Sequence, residues 1–303
     1  GGRARVSLRG AAARGDHQVG QPLPLRDGLP TAGAMPRAPD LDAYFERIGW
    51  GGVTAPTLDT LTGLLAAHMQ HIPFENLDVL LGRPIRLDLD SLEAKLVRAR
   101  RGGYCFEQCT LFAAVLERLG FALHRHTARV TARTPRHESP RTHMLIEVRF
   151  GARSVLVDPG FGSLAPRRPL PLEDGAAFES GAERHALVRD GAAWVLRVAS
   201  EGQTVDAWVT PLDRDPPIDF EVGNHYTSTH PNSVFRQHMM LRAFTPEGRI
   251  GVMNRDVTLR HGGRTESLRL ADRSALRQLL DERFGFDLPE VETLRIPGVP
   301  EWN

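Results

Sequence analysis

The sequence has few cysteines, a single lysine and no long apolar run. Cys105 and Cys109 are the only cysteines among 303 residues, too few for a disulfide framework, and a reducing cytosol fits them best. Apolar residues never form an uninterrupted run of the roughly 18 needed to cross a membrane. Lys95 is the only lysine among 38 basic residues, and the net charge is +1. No segment is both basic and aromatic, so we expect no nucleic-acid partner. The cysteine usage and the lack of a long apolar run lead us to expect a cytoplasmic protein without a membrane partner.

Residues 1–34 differ in composition from the sequence that follows them. They are rich in Gly, Ala, Arg and Pro and show no apolar periodicity. They also contain no apolar segment of the kind that defines a secretory signal. We interpret them as a disordered or non-native extension, and Met35, which precedes the first helical pattern, as the natural start.

The first third of the sequence after the extension has the apolar spacing of helices. Asp40 is a predicted N-cap for a short helix that Gly49 ends, and Thr57 is a predicted N-cap for a longer one. Asp90 and Glu93 form an acidic variant of the capping box ahead of a further apolar run. This part of the chain therefore predicts a set of consecutive helices.

From about Arg125 onward the apolar residues alternate with polar ones, which is the period of a β-strand. Short strands of this kind, separated by Gly, Pro and Asp, indicate an antiparallel barrel or sheet. A Pro-rich linker is predicted at 211–217 and a helix at 274–284. The predicted strands are 126–131, 144–150, 154–157, 193–198, 205–209, 239–244, 257–260 and 266–270.

A glycine pair followed by an aromatic residue and a cysteine is the most informative segment. Cys105 begins an apolar-periodic run that Gly120 ends, so Cys105 is predicted in the first turn of a helix. Unpaired backbone N–H groups and the positive end of the helix dipole favour a thiolate at this position. Cys105 is therefore a candidate nucleophile. Cys109, one turn deeper among apolar residues, is expected to be an inert core residue.

A cysteine nucleophile needs a base and a third group that orients the base. His143 lies at the start of an apolar strand, and Asp158 lies at the end of the next one. If these strands form a hairpin with a two-residue loop at 151–152, Asp158 faces Leu145 and lies diagonal to His143. Diagonal neighbours are roughly 7–8 Å apart at the backbone, within reach of an imidazole and a carboxylate. No second paired-ligand motif accompanies the cysteines, so we expect no metal.

Further motifs accompany these three residues in order along the chain. They are HIPFENL at 71–77, RGGYCFEQ at 101–108, RTHML at 141–145, DPGFG at 158–162, NHY at 224–226 and STHPNSVF at 228–235. At these positions the sequence resembles the arylamine N-acetyltransferase family. The resemblance extends from about Leu41 to the C-terminal helix, and several motifs in order are far more specific than Gly-Gly-x-Cys alone.

The resemblance implies an α+β fold with a papain-like (cysteine-protease-like) core. A helical bundle at 35–124 would carry the nucleophile. An antiparallel β-barrel at 125–215 would carry the histidine and the aspartate, and an α/β lid at 216–303 would complete the chain. This division agrees with the order of helices, strands and mixed elements predicted above.

The resemblance also implies roles for individual residues. Cys105, His143 and Asp158 match the catalytic triad, Phe74 and Phe161 match the acceptor pocket, and Gly160 and Phe235 match positions near the coenzyme. Arg101 and Glu75 match a structural ion pair. The implied reaction is ping-pong transfer of an acetyl group from acetyl-CoA, a co-substrate, through a cysteine thioester to an arylamine or arylhydrazine. The implied partners are coenzyme A and a small aromatic amine or hydrazine, and a homo-oligomer is left open.

Three alternatives stay open at this point. A cysteine protease uses the same side chains, but Cys105 and His143 are far closer in sequence than the roughly 130–150 residues typical of papain-like proteases. Transglutaminase-like transfer also ends on an amine and differs in its acyl donor. A non-catalytic small-molecule binder could keep the scaffold, although an intact Cys, His and Asp set argues against it.

Overall fold

The computed structural model describes residues 37–180, 183–200, 202–245 and 248–302, so the predicted extension at 1–34 lies outside it. Within this part of the chain, helices come first, strands follow, and a mixture of both ends the chain. The α-helices are α1 Leu41–Ile48, α2 Leu58–His71, α3 Leu77–Leu80, α4 Leu89–Leu92, α5 Cys105–Arg118, α6 Pro217–Thr229, α7 Val234–Gln237 and α8 Arg273–Leu279. Short 3₁₀ or π segments lie at Glu93–Arg98, Gly162–Leu164, Leu280–Phe284, Pro289–Thr293 and Pro300–Trp302.

Two predicted helix starts are confirmed by their caps. The Asp40 carboxylate accepts a hydrogen bond from the Ala43 N–H at 3.1 Å, and Gly49 ends α1 in the left-handed conformation with φ 65°. The Thr57 hydroxyl accepts from the Thr60 N–H at 3.2 Å, and α2 begins at the next residue. Each cap satisfies a backbone donor that has no partner within the helix, so the signal is local and readable from sequence.

The capping box predicted at Asp90 and Glu93 is wrong. Asp88 caps α4 two residues earlier, where its carboxylate accepts from the Ser91 N–H at 2.9 Å. Glu93 is buried and accepts a hydrogen bond from the Asp40 N–H at 2.6 Å. Asp88 and Asp90 are both acidic and only two residues apart, so the sequence does not show which of them caps the helix. The contact between Glu93 and the distant Asp40 has no local sequence pattern.

The described strands form two antiparallel sheets. In chain order they are β1 Phe74–Glu75, β2 Ala122–Val130, β3 His143–Phe150, β4 Arg153–Val157, β5 Leu170–Pro171, β6 Ala177–Ser180, β7 Glu183–Asp190, β8 Ala193–Ser200, β9 Gln203–Thr210, β10 Met240–Phe244, β11 Gly248–Met253, β12 Asp256–His261 and β13 Arg264–Arg269. One sheet has the order β5–β4–β3–β2–β9–β8–β7–β6, and the other has the order β1–β10–β11–β12–β13.

The eight-stranded sheet curls into a nearly closed barrel. Its edge strands β5 and β6 are consecutive in the chain and joined only by residues 172–176. Within this connection the Gly175 N–H donates to the Leu187 carbonyl of β7 at 2.9 Å. The inner side chains, among them Leu187, Leu196 and Trp208, form a shared hydrophobic core. The predicted antiparallel barrel is therefore confirmed, within an α+β fold.

Several elements carry little signal in the sequence. No residue of the edge strand β6 is buried, so its side chains need not alternate. The predicted linker at 211–217 ends one residue early, because Pro217 is the first residue of α6. This helix buries polar residues, among them Asn224, Thr227 and Ser228, which hides its apolar periodicity.

The five-stranded sheet connects the end of the chain with the helices at its beginning. Phe74 on β1 is opposite Arg242 on β10, and it also forms a parallel bridge with Gly103, just before α5. These pairings place Phe74 between Arg242 on β10 and the loop that precedes α5. None of the helices in the described ranges is both long and apolar enough to cross a bilayer.

Candidate active site

Cys105 is the first residue of α5, a helix of 14 residues. The Glu107 carboxylate accepts a hydrogen bond from the Tyr104 N–H at 3.1 Å, which satisfies a donor just ahead of the first turn. Gly120, just beyond the other end of the helix, has φ 88°, as a helix terminus predicts. Cys105 is only 3% exposed, yet it lines a cavity. The sulfur therefore lies at the positive end of the helix dipole, as predicted.

Close packing explains the glycine pair before the helix. A Cβ at Gly102 would lie 2.0 Å from the Pro73 carbonyl oxygen, and one at Gly103 would lie 2.7 Å from the Glu107 carboxylate. The Gln108 amide also donates to the carbonyl oxygens of Pro73 and Gly103, each at 3.0 Å. The pair therefore allows the loop to pack directly on these groups, which fixes the point where α5 begins.

A buried ion cluster lies against the same loop. The Arg101 guanidinium contacts Glu75 at 2.6 Å and Asp78 at 2.7 Å. Lys95 contacts Glu107 at 2.7 Å and Asp78 at 2.9 Å. Burial opposes ionisation of Asp78, yet Lys95 and Arg101 lower the pKa of Asp78 to about 2. The expected ion pair of Arg101 and Glu75 is present, as part of a network that holds the loop before α5.

The hairpin of β3 and β4 brings His143 and Asp158 together. Phe150 is opposite Arg153, which is the predicted register. His143 is the first residue of β3, and Asp158 directly follows the last residue of β4. The His143 Nε2 lies 2.8 Å from the Asp158 Oδ2, and both side chains are buried. The predicted approach of imidazole and carboxylate is therefore present.

The surroundings of His143 favour its protonated form. Burial alone would lower the pKa of His143. The charge of Asp158, the hydrogen bond to it and the contact with Cys105 together raise this pKa to about 10. Because Nε2 faces Asp158, Nδ1 is the ring nitrogen left to interact with Cys105. The Cys105 Sγ also lies 3.6 Å from the Thr142 carbonyl oxygen. The imidazole is therefore hydrogen-bonded to the carboxylate and interacts electrostatically with the sulfur.

Trp208 is a contact of this site that sequence reasoning missed. Its indole N–H donates to the Asp158 Oδ2 at 2.9 Å, and the Gly160 N–H donates to Oδ1 at 3.3 Å. Trp208 lies on β9 and is fully buried. A buried tryptophan usually finds a partner for its indole N–H, but no local pattern identifies that partner. These two donors orient the carboxylate toward His143.

The turn after Asp158 passes directly over the cysteine. A Cβ at Gly160 would lie 2.5 Å from the Cys105 Cα, so glycine is required at this point. The next residue, Phe161, places its ring 4.7 Å from the His143 ring. The turn thereby forms one wall of the space in front of the sulfur.

A cavity of about 480 Å³ opens beside Cys105, a volume within the range of small-molecule sites. The predicted site residues that line it are Phe74, Cys105, His143, Gly160, Phe161 and Phe235. The rings of Phe74 and Phe235 are 6.1 Å apart. Asp158 is not part of the wall and lies behind His143. The wall of this one cavity therefore includes every predicted site residue except Asp158, whose carboxylate is buried.

Cys109 is a core residue, as expected. Its thiol donates to the Met144 carbonyl oxygen at 3.1 Å. Burial, followed by the charges of Asp158 and Cys105, raises the pKa of Cys109 well above its usual value. Within the residues that the structure describes, no group of three His, Cys, Asp or Glu side chains could hold a metal ion.

Known proteins share both the sequence and the fold of this chain. The N-acetyltransferase family profile matches residues 57–293. An arylamine N-acetyltransferase of Mycobacterium tuberculosis is 40% identical over 259 residues, which cover 83% of this chain and 91% of that protein. The solved structure of arylamine N-acetyltransferase from M. tuberculosis matches with a TM-score of 0.79 and 39% identity, covering 83% of this chain and 96% of that one.

A second solved structure is that of Mycobacterium marinum arylamine N-acetyltransferase in complex with CoA. It matches with a TM-score of 0.78 and 35% identity, covering 83% of this chain and 94% of that chain. The agreement therefore extends over most of the chain in sequence and in fold. The chain belongs to the arylamine N-acetyltransferase family, a family of acyltransferases.

Proposed function

We propose that this chain transfers an acetyl group from acetyl-CoA, through a thioester on Cys105, to the nitrogen of an arylamine or arylhydrazine. The observation that carries the proposal is the hydrogen-bonded pair of His143 and Asp158 next to Cys105, with the sulfur and the imidazole both in the wall of the cavity. Family membership supports an aromatic amine as acceptor. The CoA held by the M. marinum relative supports an acyl-CoA as donor. We place this reaction in the cytoplasm.

In the first half-reaction, the thiolate of Cys105 attacks the thioester carbonyl of acetyl-CoA. The imidazolium of His143 stabilises the thiolate beforehand and then protonates the departing sulfur of the coenzyme. The backbone N–H of Cys105, at the start of α5, has no helical partner and can donate to the developing oxyanion. The acetyl group remains on Cys105, and His143 becomes neutral.

In the second half-reaction, the amine attacks the acetyl-enzyme. Neutral His143 accepts the proton that the nitrogen loses, and the Cys105 thiolate leaves as the tetrahedral intermediate collapses. This step restores the ion pair of thiolate and imidazolium, so protons balance over the cycle. Asp158 holds the ring in the orientation that both steps require and stabilises its charge.

Different residues of the cavity wall contact the two substrates. Phe74 and Phe161 supply aromatic surface for the ring of the acceptor, and they reduce the access of water to the acetyl-enzyme. Gly160 and Phe235 contact the coenzyme. The helical part at 35–124 would thus supply the nucleophile, the barrel at 125–215 the base and its orienter, and the part at 216–303 a lid with Phe235. None of these roles requires a metal.

Steady-state kinetics over a matrix of donors and acceptors test this proposal. Acetyl-CoA with an aromatic amine should give parallel double-reciprocal lines, the pattern of a ping-pong mechanism. A glutamine peptide as donor tests the transglutaminase-like alternative, and peptide hydrolysis tests the protease. Cys105→Ser should abolish transfer, whereas the matched variant Cys109→Ser should retain it.

Intersecting lines would contradict the covalent intermediate. Faster turnover of a glutamine peptide or of a peptide bond than of acetyl-CoA would favour one of the alternative enzymes. Slow iodoacetamide labelling of Cys105 near neutral pH, with no turnover of any donor, would favour the non-catalytic binder.

A further inference from the structure

Residues 160–164 form a continuous segment of the wall of the catalytic cavity. The segment begins where Gly160 packs on Cys105, and it ends in a short 3₁₀ turn that contains Ser163. In such a turn the Ser163 carbonyl oxygen would accept a hydrogen bond from the residue three positions later. That residue is Pro166, which has no N–H. The carbonyl oxygen of Ser163 must therefore find its partner in another element or in water.

Arg249 on β11 supplies this partner. Its Nη1 donates to the Ser163 carbonyl oxygen at 3.1 Å and to the Glu183 Oε2 at 2.8 Å, and its Nη2 donates to the Glu183 Oε1 at 2.5 Å. The bidentate pair with Glu183, on β7 of the barrel, holds the guanidinium in one orientation. The side chains of Arg249 and Glu183 are only 19% and 14% exposed. One guanidinium therefore joins the five-stranded sheet, the barrel and the 160–164 segment.

The same sheet also packs against the segment on either side of Ser163. A Cβ at Gly162 would lie 3.6 Å from the Phe74 ring on β1. The guanidinium of Arg167, shortly after the segment, lies over the Phe244 ring of β10 at 5.1 Å. Packing and cation–π contacts of this kind tolerate small displacements, whereas a charge-assisted hydrogen bond fixes a distance and a direction. The bond from Arg249 is therefore the contact that holds the segment in place.

We propose that Arg249 is a positioning residue that holds the 160–164 segment closed over the acetylated cysteine and keeps water from its thioester. This inference rests on the proposed acetyl transfer through Cys105. Arg249 is not among the residues that line the cavity, so it acts through Ser163 and not through contact with a substrate. Water that reaches the acetyl-enzyme attacks the thioester carbonyl, releases acetic acid and returns the thiol. Arg249 thus sets the ratio of hydrolysis to transfer.

A purely structural role of the ion pair is the main alternative. Glu183 and Arg249 join the barrel to the five-stranded sheet, so removal of either side chain should also lower stability. Lower stability reduces the fraction of folded enzyme, which changes the rates of hydrolysis and of transfer by the same factor. Their ratio then stays constant. A displaced 160–164 segment instead raises hydrolysis relative to transfer, so the ratio separates the two roles.

The test compares wild type with Arg249→Met, Arg249→Lys and the control Arg255→Met. Arg255 is 17% exposed and donates to the carbonyl oxygens of Leu270 and Ala271 at 2.8 and 2.9 Å, away from the cavity. Radiolabelled acetyl-CoA and a fixed concentration of 4-methoxyaniline give the ratio of released acetate to acetylated amine. We expect Arg249→Met to raise this ratio about 10-fold, the effect of losing a hydrogen bond from a charged donor. Arg249→Lys lacks the planar fork but keeps the charge, so its ratio should lie between those of wild type and Arg249→Met. Arg255→Met should keep the wild-type ratio.

Each result decides the role of Arg249. An unchanged ratio in folded Arg249→Met would overturn the inference. An equal rise in Arg255→Met would also overturn it, because any disturbance of the sheet would then admit water. If Arg249→Met does not fold, Glu183→Gln replaces it, since this variant removes the charge that orients the guanidinium; a raised ratio supports the inference and an unchanged ratio rejects it. Failure of wild type to acetylate Cys105 at all would instead reject the proposed function.

Discussion

Replacing Asp158 with Asn should inactivate the enzyme, because an amide cannot accept all three hydrogen bonds that the carboxylate accepts. Oδ2 accepts from His143 Nε2 at 2.8 Å and from Trp208 Nε1 at 2.9 Å. Oδ1 accepts from the Gly160 N–H at 3.3 Å. All three partners are donors, whereas an amide presents an oxygen on one side and an NH₂ group on the other. In either orientation of the amide, at least one donor faces another donor.

The size of the effect follows from the loss of the carboxylate charge. Without it, the pKa of His143 should fall from about 10, and the neutral ring loses its fixed tautomer. The same substitution in a Ser-His-Asp triad costs about 10⁴-fold in rate, and we expect a loss of roughly that order here. Breaking a buried ion pair by removing one partner also costs on the order of 3–5 kcal/mol of stability.

The stability loss should depend on pH in a defined direction. The pKa of His143 is raised above its usual value of 6.5 in the folded state. The ion pair of His143 and Asp158 therefore stabilises the folded state fully below pH 6.5. This stabilisation is lost as the pH rises toward about 10. The difference in free energy of unfolding between wild type and Asp158→Asn should shrink over that interval.

Urea unfolding over this pH range, together with kcat/KM, checks the prediction. Asp190→Asn, a surface substitution on β7, is the matched control and should change neither quantity. Near wild-type kcat/KM in a folded Asp158→Asn variant would refute the orienting role. A stability difference that stays constant with pH would refute the assigned protonation of His143.

Three further substitutions separate the roles of neighbouring residues. Gly160→Ala places a Cβ 2.5 Å from the Cys105 Cα, so kcat/KM should fall by more than about 100-fold. A Cβ added at Gly51 would meet nothing within 4 Å, so Gly51→Ala should match wild type in kcat/KM. Equal activity of Gly160→Ala and Gly51→Ala would contradict the packing argument. Trp208→Phe removes one hydrogen bond to a charged acceptor and should cost about 10-fold in kcat/KM; unchanged activity would exclude an orienting role. Cys109→Ala should keep both activity and iodoacetamide labelling of Cys105, and loss of either would show that Cys109 is not inert.

Much of the candidate site is predictable from the sequence because its parts are local. Cys105 at a helix start is encoded by the residues that precede and follow it. His143 and Asp158 meet because a two-residue loop fixes the register of their hairpin, and that register determines which side chains are diagonal neighbours. The glycine pair before Cys105 is visible in the sequence, but its reason, the close approach of Pro73 and Glu107, appears only in the fold.

The remaining features depend on contacts between distant parts of the chain. Trp208 reaches Asp158 from β9 across the barrel, and Arg242 reaches the cavity because β10 pairs with the short strand β1. Glu93 accepts a hydrogen bond from the N–H of Asp40, far away in sequence, instead of taking part in the predicted capping box. Periodicity describes only the burial of one element against another, so it cannot identify such partners.

The most direct measurement is mass spectrometry of the protein mixed briefly with acetyl-CoA in the absence of any amine. Wild type should gain the mass of one acetyl group, located on the peptide that contains Cys105, and should lose it when an aromatic amine is added. Cys109→Ala should behave identically. Folded wild-type protein that turns over acetyl-CoA and amine but never carries acetyl on Cys105 would contradict transfer through this sulfur.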